Sequence, residues 1–94
     1  MFFVYVLASL SGTLYVGLTD DLQRRVEEHK LGLVDSFTKK YNVNRLMYYE
    51  TFYDSTIAEN REQQIKKWRR DWKIELIERE NPHWLDLYPS IAFG

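Results

Sequence analysis

The sequence predicts an α+β fold in which a small three-stranded sheet, with its elements in the order β-β-α-β-α, is flanked by helices. Two apolar segments rich in β-branched side chains lie close together near the start. A third, aromatic segment follows a short helical pattern, and the last third repeats its apolar residues at helical spacing. Because the 94 residues contain no linker, repeat or low-complexity stretch, we expect one domain over residues 1–94.

The first two predicted strands form a β-hairpin. Residues 2–8 and residues 13–18 are rich in β-branched and aromatic side chains, and Ser11-Gly12 between them supplies turn residues. Both segments are almost continuously apolar. This pattern indicates a sheet that other elements cover on at least one face.

A first helix is predicted after the hairpin. Thr19 or Asp20 can cap its start, and the pattern ends near Lys30, before Gly32. The residues expected to face the core are Leu22, Val26, His29 and Leu33. Residues 34–44 are polar and predict an irregular segment.

The second half predicts a strand followed by one long helix. Residues 45–53 have strand character, and Asp54 or Ser55 can cap a helix over residues 56–79. The apolar positions of this helix are Ile57, Ala58, Ile65, Trp68, Trp72, Leu76 and Ile77. After an Asn-Pro stop, the aromatic tail is expected to pack back onto the body.

Composition excludes several classes of function. Without cysteine, the chain has no disulfides, no thiolate zinc site and no cysteine nucleophile, which suits a reducing cytoplasm. No apolar run approaches the roughly 20 residues of a membrane span, so no membrane segment is predicted. The net charge is −1, but residues 61–73 carry six basic residues against two acidic ones. Such a basic face can contact phosphates even on a nearly neutral protein.

Two charged residues occupy unusual positions in the predicted helices. Arg25 flanks the inward stripe of the first helix, and Glu62 lies within the apolar stripe of the second. Since an unpaired buried carboxylate is costly, Glu62 should have a partner. An ion pair with Arg25, Arg61 or Lys66 and a hard cation such as Mg²⁺ are the open alternatives.

Two tripeptides near the start share a pattern of tyrosine and glycine. Tyr5 ends the tripeptide Phe-Val-Tyr, and ten residues after it Tyr15 begins the tripeptide Tyr-Val-Gly, which ends at Gly17. Arg25 and His29 follow on the first helix. A strand tyrosine alone is ordinarily a core residue, so the significance lies in the order of these residues.

Taken in order, these segments, together with the helix that bears Glu62 and the late Asn81-Pro82, resemble the GIY-YIG endonuclease family. The resemblance is to its small stand-alone bacterial members and covers essentially the whole chain. Phe3 stands in place of the first glycine and Val16 in place of isoleucine, which affects packing more than chemistry.

The resemblance implies a metal-dependent endonuclease that hydrolyses DNA phosphodiester bonds, with a place in DNA repair, recombination or processing. Tyr5 would act as general base or position the water, Arg25 would stabilise charge on the phosphoryl oxygens, and Glu62 would hold a single Mg²⁺ or Mn²⁺. Because a free phenol titrates near about 10, nearby positive charge is expected to favour its ionised form. Supporting roles fall to Tyr15 and His29 in positioning or proton transfer, and to Gly17 and Asn81 in substrate positioning.

The expected partner is DNA, branched or single-stranded forms included. The candidate phosphate-binding residues are Lys39, Lys40, Lys66, Arg69, Arg70 and Lys73, the last four at a spacing that predicts one stripe on the second helix. With so few contacts, binding should be weak and salt-sensitive. The chain is expected to be a monomer or a weak homodimer, with an unidentified protein partner as a further option.

Two other interpretations stay open. The near-neutral charge favours a catalytically weak nucleic-acid-binding or protein-interaction module on the same fold. A purely structural protein would instead use Arg25 and Glu62 as a buried ion pair.

Overall fold

A computed structural model describes all residues from 1 to 94 and contains one antiparallel sheet in the strand order β2-β1-β3. The central strand is β1, Phe2–Ala8, and the edge strands are β2, Leu14–Thr19, and β3, Arg45–Phe52. The predicted α+β fold and its three strands are confirmed, with β2 shifted by one residue.

Five helices surround the sheet. Their bounds are Leu22–Lys30 for α1, Ser36–Tyr41 for α2, Ser55–Lys67 for α3, Arg70–Glu80 for α4 and Tyr88–Phe93 for α5. None of them combines the length and the apolar character that a membrane crossing requires.

Both faces of the sheet are covered. Because successive strand residues point to opposite faces, the cores on the two sides are separate. One core joins the sheet to α3 and α4 and contains Val4, Val6, Ala8, Val16, Met47, Tyr48, Ala58, Ile65, Leu76 and Ile77. The other joins the sheet to α1 and the tail and contains Tyr5, Leu7, Leu22, Val26, Val43 and Leu46.

The single long helix predicted over residues 56–79 is wrong, because the chain is extended at Trp68 and Arg69 and divides it into α3 and α4. A straight helix of that length would measure about 36 Å, whereas the whole molecule spans 29 × 28 × 28 Å. The break changes the phase of the apolar stripe, so Trp72, predicted to face the core, is exposed. Ile57, at the start of α3, is exposed as well.

The prediction of an irregular segment over residues 34–44 is also wrong, since it contains α2. The Asp35 carboxylate caps this helix by accepting hydrogen bonds from the backbone N–H groups of Phe37 and Thr38. Asn42 ends it in the left-handed conformation. Two short-range signals for a helix are therefore present in a segment too polar to show an apolar stripe.

Helix α1 ends at Lys30, as predicted, but its cap and one expected core position differ from the prediction. Asp21, rather than Thr19 or Asp20, caps the helix by accepting a hydrogen bond from the backbone N–H of Arg24. Leu33 is exposed because the helix has already ended before Gly32, whose φ of +70° reverses the chain.

The tail packs back onto the body, as predicted, by pairing with strand β3. The backbone N–H of Leu87 donates to the carbonyl of Leu46 at 2.8 Å, and the Asp86 carboxylate accepts from the N–H of Leu46 at 3.0 Å. Lys30 of α1 forms an ion pair with Asp86 at 2.6 Å. The tail thereby closes part of the β3 edge and covers the core on the α1 side.

Candidate active site

The centre of the candidate site is the ring of Tyr5. The strand register places Tyr5 opposite Gly17 of β2, with Tyr15 two residues before Gly17 on the same face. A Cβ added at Gly17 would overlap with the Cζ and hydroxyl oxygen of Tyr5. The missing side chain at Gly17 therefore allows the ring of Tyr5 to cross the edge strand.

Three aromatic rings meet at this point. The ring centroids of Tyr5 and Tyr15 are 6.4 Å apart, and the His29 ring lies 5.9 Å from Tyr5 and 5.3 Å from Tyr15. The hydroxyl oxygen of Tyr5 is 3.1 Å from Nε2 of His29. Four of the residues predicted for the site, counting Gly17, are thus brought together by the hairpin and α1.

The hydrogen bonds around His29 favour the tautomer with its proton on Nδ1. The hydroxyl of Thr38 donates its one hydrogen to the carbonyl of Asp35 at 3.1 Å. At 2.9 Å, it therefore accepts from Nδ1–H of His29. The neutral ring then has a free lone pair on Nε2, so the hydroxyl of Tyr5 donates to it.

The electrostatic surroundings keep these groups neutral. Burial is the largest cause raising the pKa of Tyr5, and burial followed by the nearby Asp35 raises the pKa of Tyr15 to about 12. Burial also lowers the pKa of His29, and the positive charge of Arg25 lowers it further. In the protein alone the pKa of Tyr5 is therefore raised, and the expectation that nearby positive charge would lower it is wrong.

Arg25 and Glu62 approach the tyrosines from different helices. Arg25 acts to lower the pKa of both Tyr5 and Tyr15, whereas Glu62 acts to raise it. Since α1 and α3 cover opposite faces of the sheet, these charges converge only around the edge strand β2. The site therefore lies at the β2 margin of the sheet.

The ion pairs show which of the three basic residues is the partner of Glu62. Its carboxylate, 13% exposed, lies 3.2 Å from Nζ of Lys66. Arg61 instead binds Glu50 through two hydrogen bonds of 2.8 and 2.9 Å. Arg25 lies near Glu28, with 3.6 Å between Nε and Oε1. Lys66 is thus the partner of Glu62, and the buried pair between Arg25 and Glu62 does not form.

Glu62 also has the chemistry to hold a divalent cation. Its carboxylate oxygens are hard ligands, and Mg²⁺ commonly binds through one or two carboxylates while keeping several waters. No group of three or more acidic, histidine or cysteine side chains lies together anywhere in the molecule, so Glu62 would bind a cation as a single protein carboxylate. Lys66 forms the one ion pair with this carboxylate and would compete with a cation for it. Because the Lys66 side chain is 44% exposed, it can turn outward.

The predicted phosphate-binding residues lie on separate elements. Lys39 and Lys40 are on α2, Lys66 is near the end of α3, Arg69 is at the break, and Arg70 and Lys73 are on α4. The break between α3 and α4 interrupts the continuous stripe that the sequence predicts.

Asn81 is buried at the junction of α4, the tail and β3. Its amide N–H₂ donates to the carbonyls of Met47 and Leu85 at 3.1 and 2.9 Å, and its carbonyl accepts from the N–H of Leu85. Met47 is the extra residue of a bulge in β3. These contacts join the tail to the sheet; a role in substrate positioning stays a prediction.

Sequence reasoning missed two residues of the site, Asp35 and Thr38. Asp35 raises the pKa of Tyr15, and Thr38 holds the ring of His29. The sequence contains one signal for them: Asp35 precedes Thr38 by three residues, which is the spacing of a capping aspartate. That spacing would have predicted a short helix with Asp35 as its cap and Thr38 in its first turn.

The chain is similar in sequence and in fold to known proteins. Residues 1–75 match the sequence model of the GIY-YIG catalytic domain. A UPF0213 protein of Clostridium perfringens is 35% identical over 77 residues, covering 82% of this chain and 83% of the relative. A UPF0213 protein of Haloquadratum walsbyi is 34% identical over 76 residues, covering 81% and 85%. The solution NMR structure of a UPF0213 protein of Bacillus halodurans has a TM-score of 0.59 and 26% identity, covering 95% of this chain and 96% of that one.

Proposed function

Because the chain belongs to the GIY-YIG family, a family of nucleases, we propose that it is a metal-dependent endonuclease that hydrolyses phosphodiester bonds in DNA. The observation that carries this proposal is the position of the Tyr5 hydroxyl. It donates to Nε2 of His29 at 3.1 Å within the electrostatic reach of Arg25 and Glu62. A candidate general base, a cation suited to the phosphate and a carboxylate suited to a metal therefore influence one another electrostatically.

Tyr5 and His29 can move the proton of the attacking water. With its own hydrogen donated to His29, the oxygen of Tyr5 has lone pairs free to accept a hydrogen from water. As the water oxygen bonds to phosphorus and the bond from phosphorus to the 3′ oxygen breaks, the proton of the water passes to Tyr5 while the proton of Tyr5 passes to Nε2 of His29. The 3′ oxygen leaves with the bonding electron pair and takes a proton from solvent. This relay avoids a free phenolate, so the raised pKa of Tyr5 does not prevent it.

Arg25 is suited to the charge that develops on the phosphoryl oxygens. Its side chain is partly exposed, and its contact with Glu28 is 3.6 Å long, which leaves most of its donors free. Arg61, by contrast, is held by Glu50 and has no such freedom. Stabilisation of an oxyanion by fixed donors is a large term in catalysis.

Nucleases of this family generally use a divalent metal ion, and Glu62 is the residue that would hold it. When bound, a single Mg²⁺ or Mn²⁺ would supply Lewis-acid stabilisation of the negative charge that develops in the reaction. Lys66 pairs with the carboxylate of Glu62 in the free protein and can turn outward, since it is 44% exposed.

Phosphate contacts would position the DNA strand across the site. Lys39 and Lys40 on α2 and the basic residues around the α3–α4 break supply them. A cytoplasmic location, a role in DNA repair and a monomeric or weakly dimeric state stay predictions from the sequence.

Nicking of supercoiled plasmid by the purified protein tests the proposal. Wild type should nick in Mg²⁺ or Mn²⁺ and stop in EDTA, while Arg25→Ala and Glu62→Gln should be inactive with unchanged thermal melting. Arg24→Ala and Glu59→Gln are matched controls, because these exposed residues lie on the same helices outside the site. If all variants nick alike, the activity comes from a contaminant and the proposal fails.

A binding module is the second candidate, favoured by the 3.2 Å ion pair in which Lys66 occupies the carboxylate of Glu62. Retained oligonucleotide binding without nicking of plasmid or branched DNA in either metal would support it. Destabilisation by Glu62→Gln without any activity would show that the ion pair is structural.

A further inference from the structure

Helix α2 exposes two aromatic rings beside the candidate site. Phe37 and Tyr41 lie one helical turn apart, with ring centroids at 5.0 Å and ring planes inclined by 53°. They are 41% and 47% exposed. Neither ring belongs to the two cores of the molecule.

The same helix carries two unpaired cations. Neither Lys39 nor Lys40 forms an ion pair with an acidic side chain. Nζ of Lys40 lies 5.3 Å from the ring centroid of Tyr41. Exposed rings flanked by free cations are the combination with which proteins bind single-stranded nucleic acid, because the rings stack on bases while the cations bind phosphates.

Thr38 fixes the position of these rings relative to the site. It is the buried residue of α2, and its hydroxyl accepts from Nδ1–H of His29 at 2.9 Å. Phe37 and Lys39 are its chain neighbours, so the backbone of both is anchored one residue from the contact with His29.

We propose that Phe37 and Tyr41 form a base-stacking subsite, which takes an unpaired nucleobase next to the phosphate to be cut. The placement of that phosphate rests on the proposed nuclease function. In a duplex both faces of each internal base are already stacked, and extruding a base requires unstacking. The substrate is therefore DNA that is single-stranded at the point of cleavage.

Binding in EDTA tests the subsite separately from cleavage. The probes are a dye-labelled oligo(dT) of about 12 nucleotides, within the usual length of a single-strand site, an abasic strand with the same number of phosphates, and a duplex of equal length. Wild type should bind oligo(dT) most tightly. Phe37→Ala and Tyr41→Ala should each weaken that binding by roughly five- to a hundredfold and leave abasic binding unchanged.

Tyr53→Ala is the matched control, because Tyr53 is an exposed tyrosine, at 88%, on a different part of the surface. Lys39→Gln and Lys40→Gln should weaken binding to oligo(dT) and the abasic strand equally and lower the salt dependence by about 0.7 for each lysine. A 2-aminopurine placed in the oligo(dT) should lose fluorescence on binding to wild type and keep it with the ring variants.

The outcomes separate this inference from the proposed function. If the ring variants bind oligo(dT) like wild type, or wild type does not prefer oligo(dT) over the abasic strand and the duplex, the subsite is overturned, and plasmid nicking still decides the nuclease proposal. If ring-dependent binding is found but neither plasmid nor the oligo(dT) itself is cut in Mg²⁺ or Mn²⁺, the subsite is supported and the nuclease proposal fails.

Discussion

The ring of Tyr5 lies directly over the α-carbon of Gly17, its partner across strands β1 and β2. No other residue type leaves room there, since even a methyl group would overlap with the hydroxyl end of the ring. The hydroxyl reaches His29 because of this contact. The glycine therefore determines the position of the group that we propose to act on water.

Gly17→Ala should displace the ring of Tyr5. We expect loss of nicking together with a loss of about 1–3 kcal/mol in the free energy of unfolding, because the added methyl group overpacks a buried position. Denaturant unfolding and plasmid nicking measure the two effects. In a Tyr5→Ala background the same change should have little effect on stability; an additive loss would show that the two residues do not interact.

Tyr5→Phe should separate the hydroxyl from the ring. Removing the proton relay is expected to lower the cleavage rate by roughly 10²- to 10⁴-fold, while the core retains its aromatic ring. The loss of one buried hydrogen bond to His29 should reduce stability by about 1–3 kcal/mol. Tyr48→Phe is the control, since that hydroxyl bonds to Glu50 outside the site. Equal loss of activity in both variants would contradict the relay.

The neutral form of His29 makes stability depend on pH. Its pKa in the folded protein is lowered from 6.5, first by burial and then by Arg25. Below 6.5 the unfolded chain therefore binds more protons than the folded one, and the free energy of unfolding should fall as the pH falls through this range. Denaturant unfolding between about pH 5 and 7.5 should show this slope, whereas nicking should fall only at the lower pH where the folded His29 itself takes up a proton.

Replacing His29 tests whether its imidazole causes the pH dependence of the free energy of unfolding. His29→Gln should flatten it, whereas His83→Gln, which changes the exposed histidine of the tail, should retain it. The same slope in the His29 variant would assign it to other groups.

Asn81→Ala tests whether this residue is structural or acts on substrate. Its buried amide satisfies the carbonyls of Met47 and Leu85, so we expect a loss of about 1–3 kcal/mol in stability. At temperatures where the variant stays folded, nicking should be retained. The control is Asn60→Ala, on the exposed face of α3. Loss of nicking with an unchanged melting temperature would instead show that Asn81 positions the substrate.

Local sequence patterns determined the three strands, the turn at Gly12 and the cap at Asp54, because strand propensity, turn residues and helix caps act over a few neighbouring residues. The order of Tyr5, Arg25, His29 and Glu62 along the chain was likewise sufficient to indicate the family, which the comparisons confirm.

The tertiary structure alone decided which distant residues meet. The hairpin register put Tyr5 on Gly17, and strand β3 supplied Glu50 as the partner of Arg61, which leaves Glu62 with Lys66 of its own helix. It also brought Thr38 to His29. The physical reason is that register and ion-pair choice are set by packing between segments far apart in the chain, whereas local patterns specify only the segments themselves.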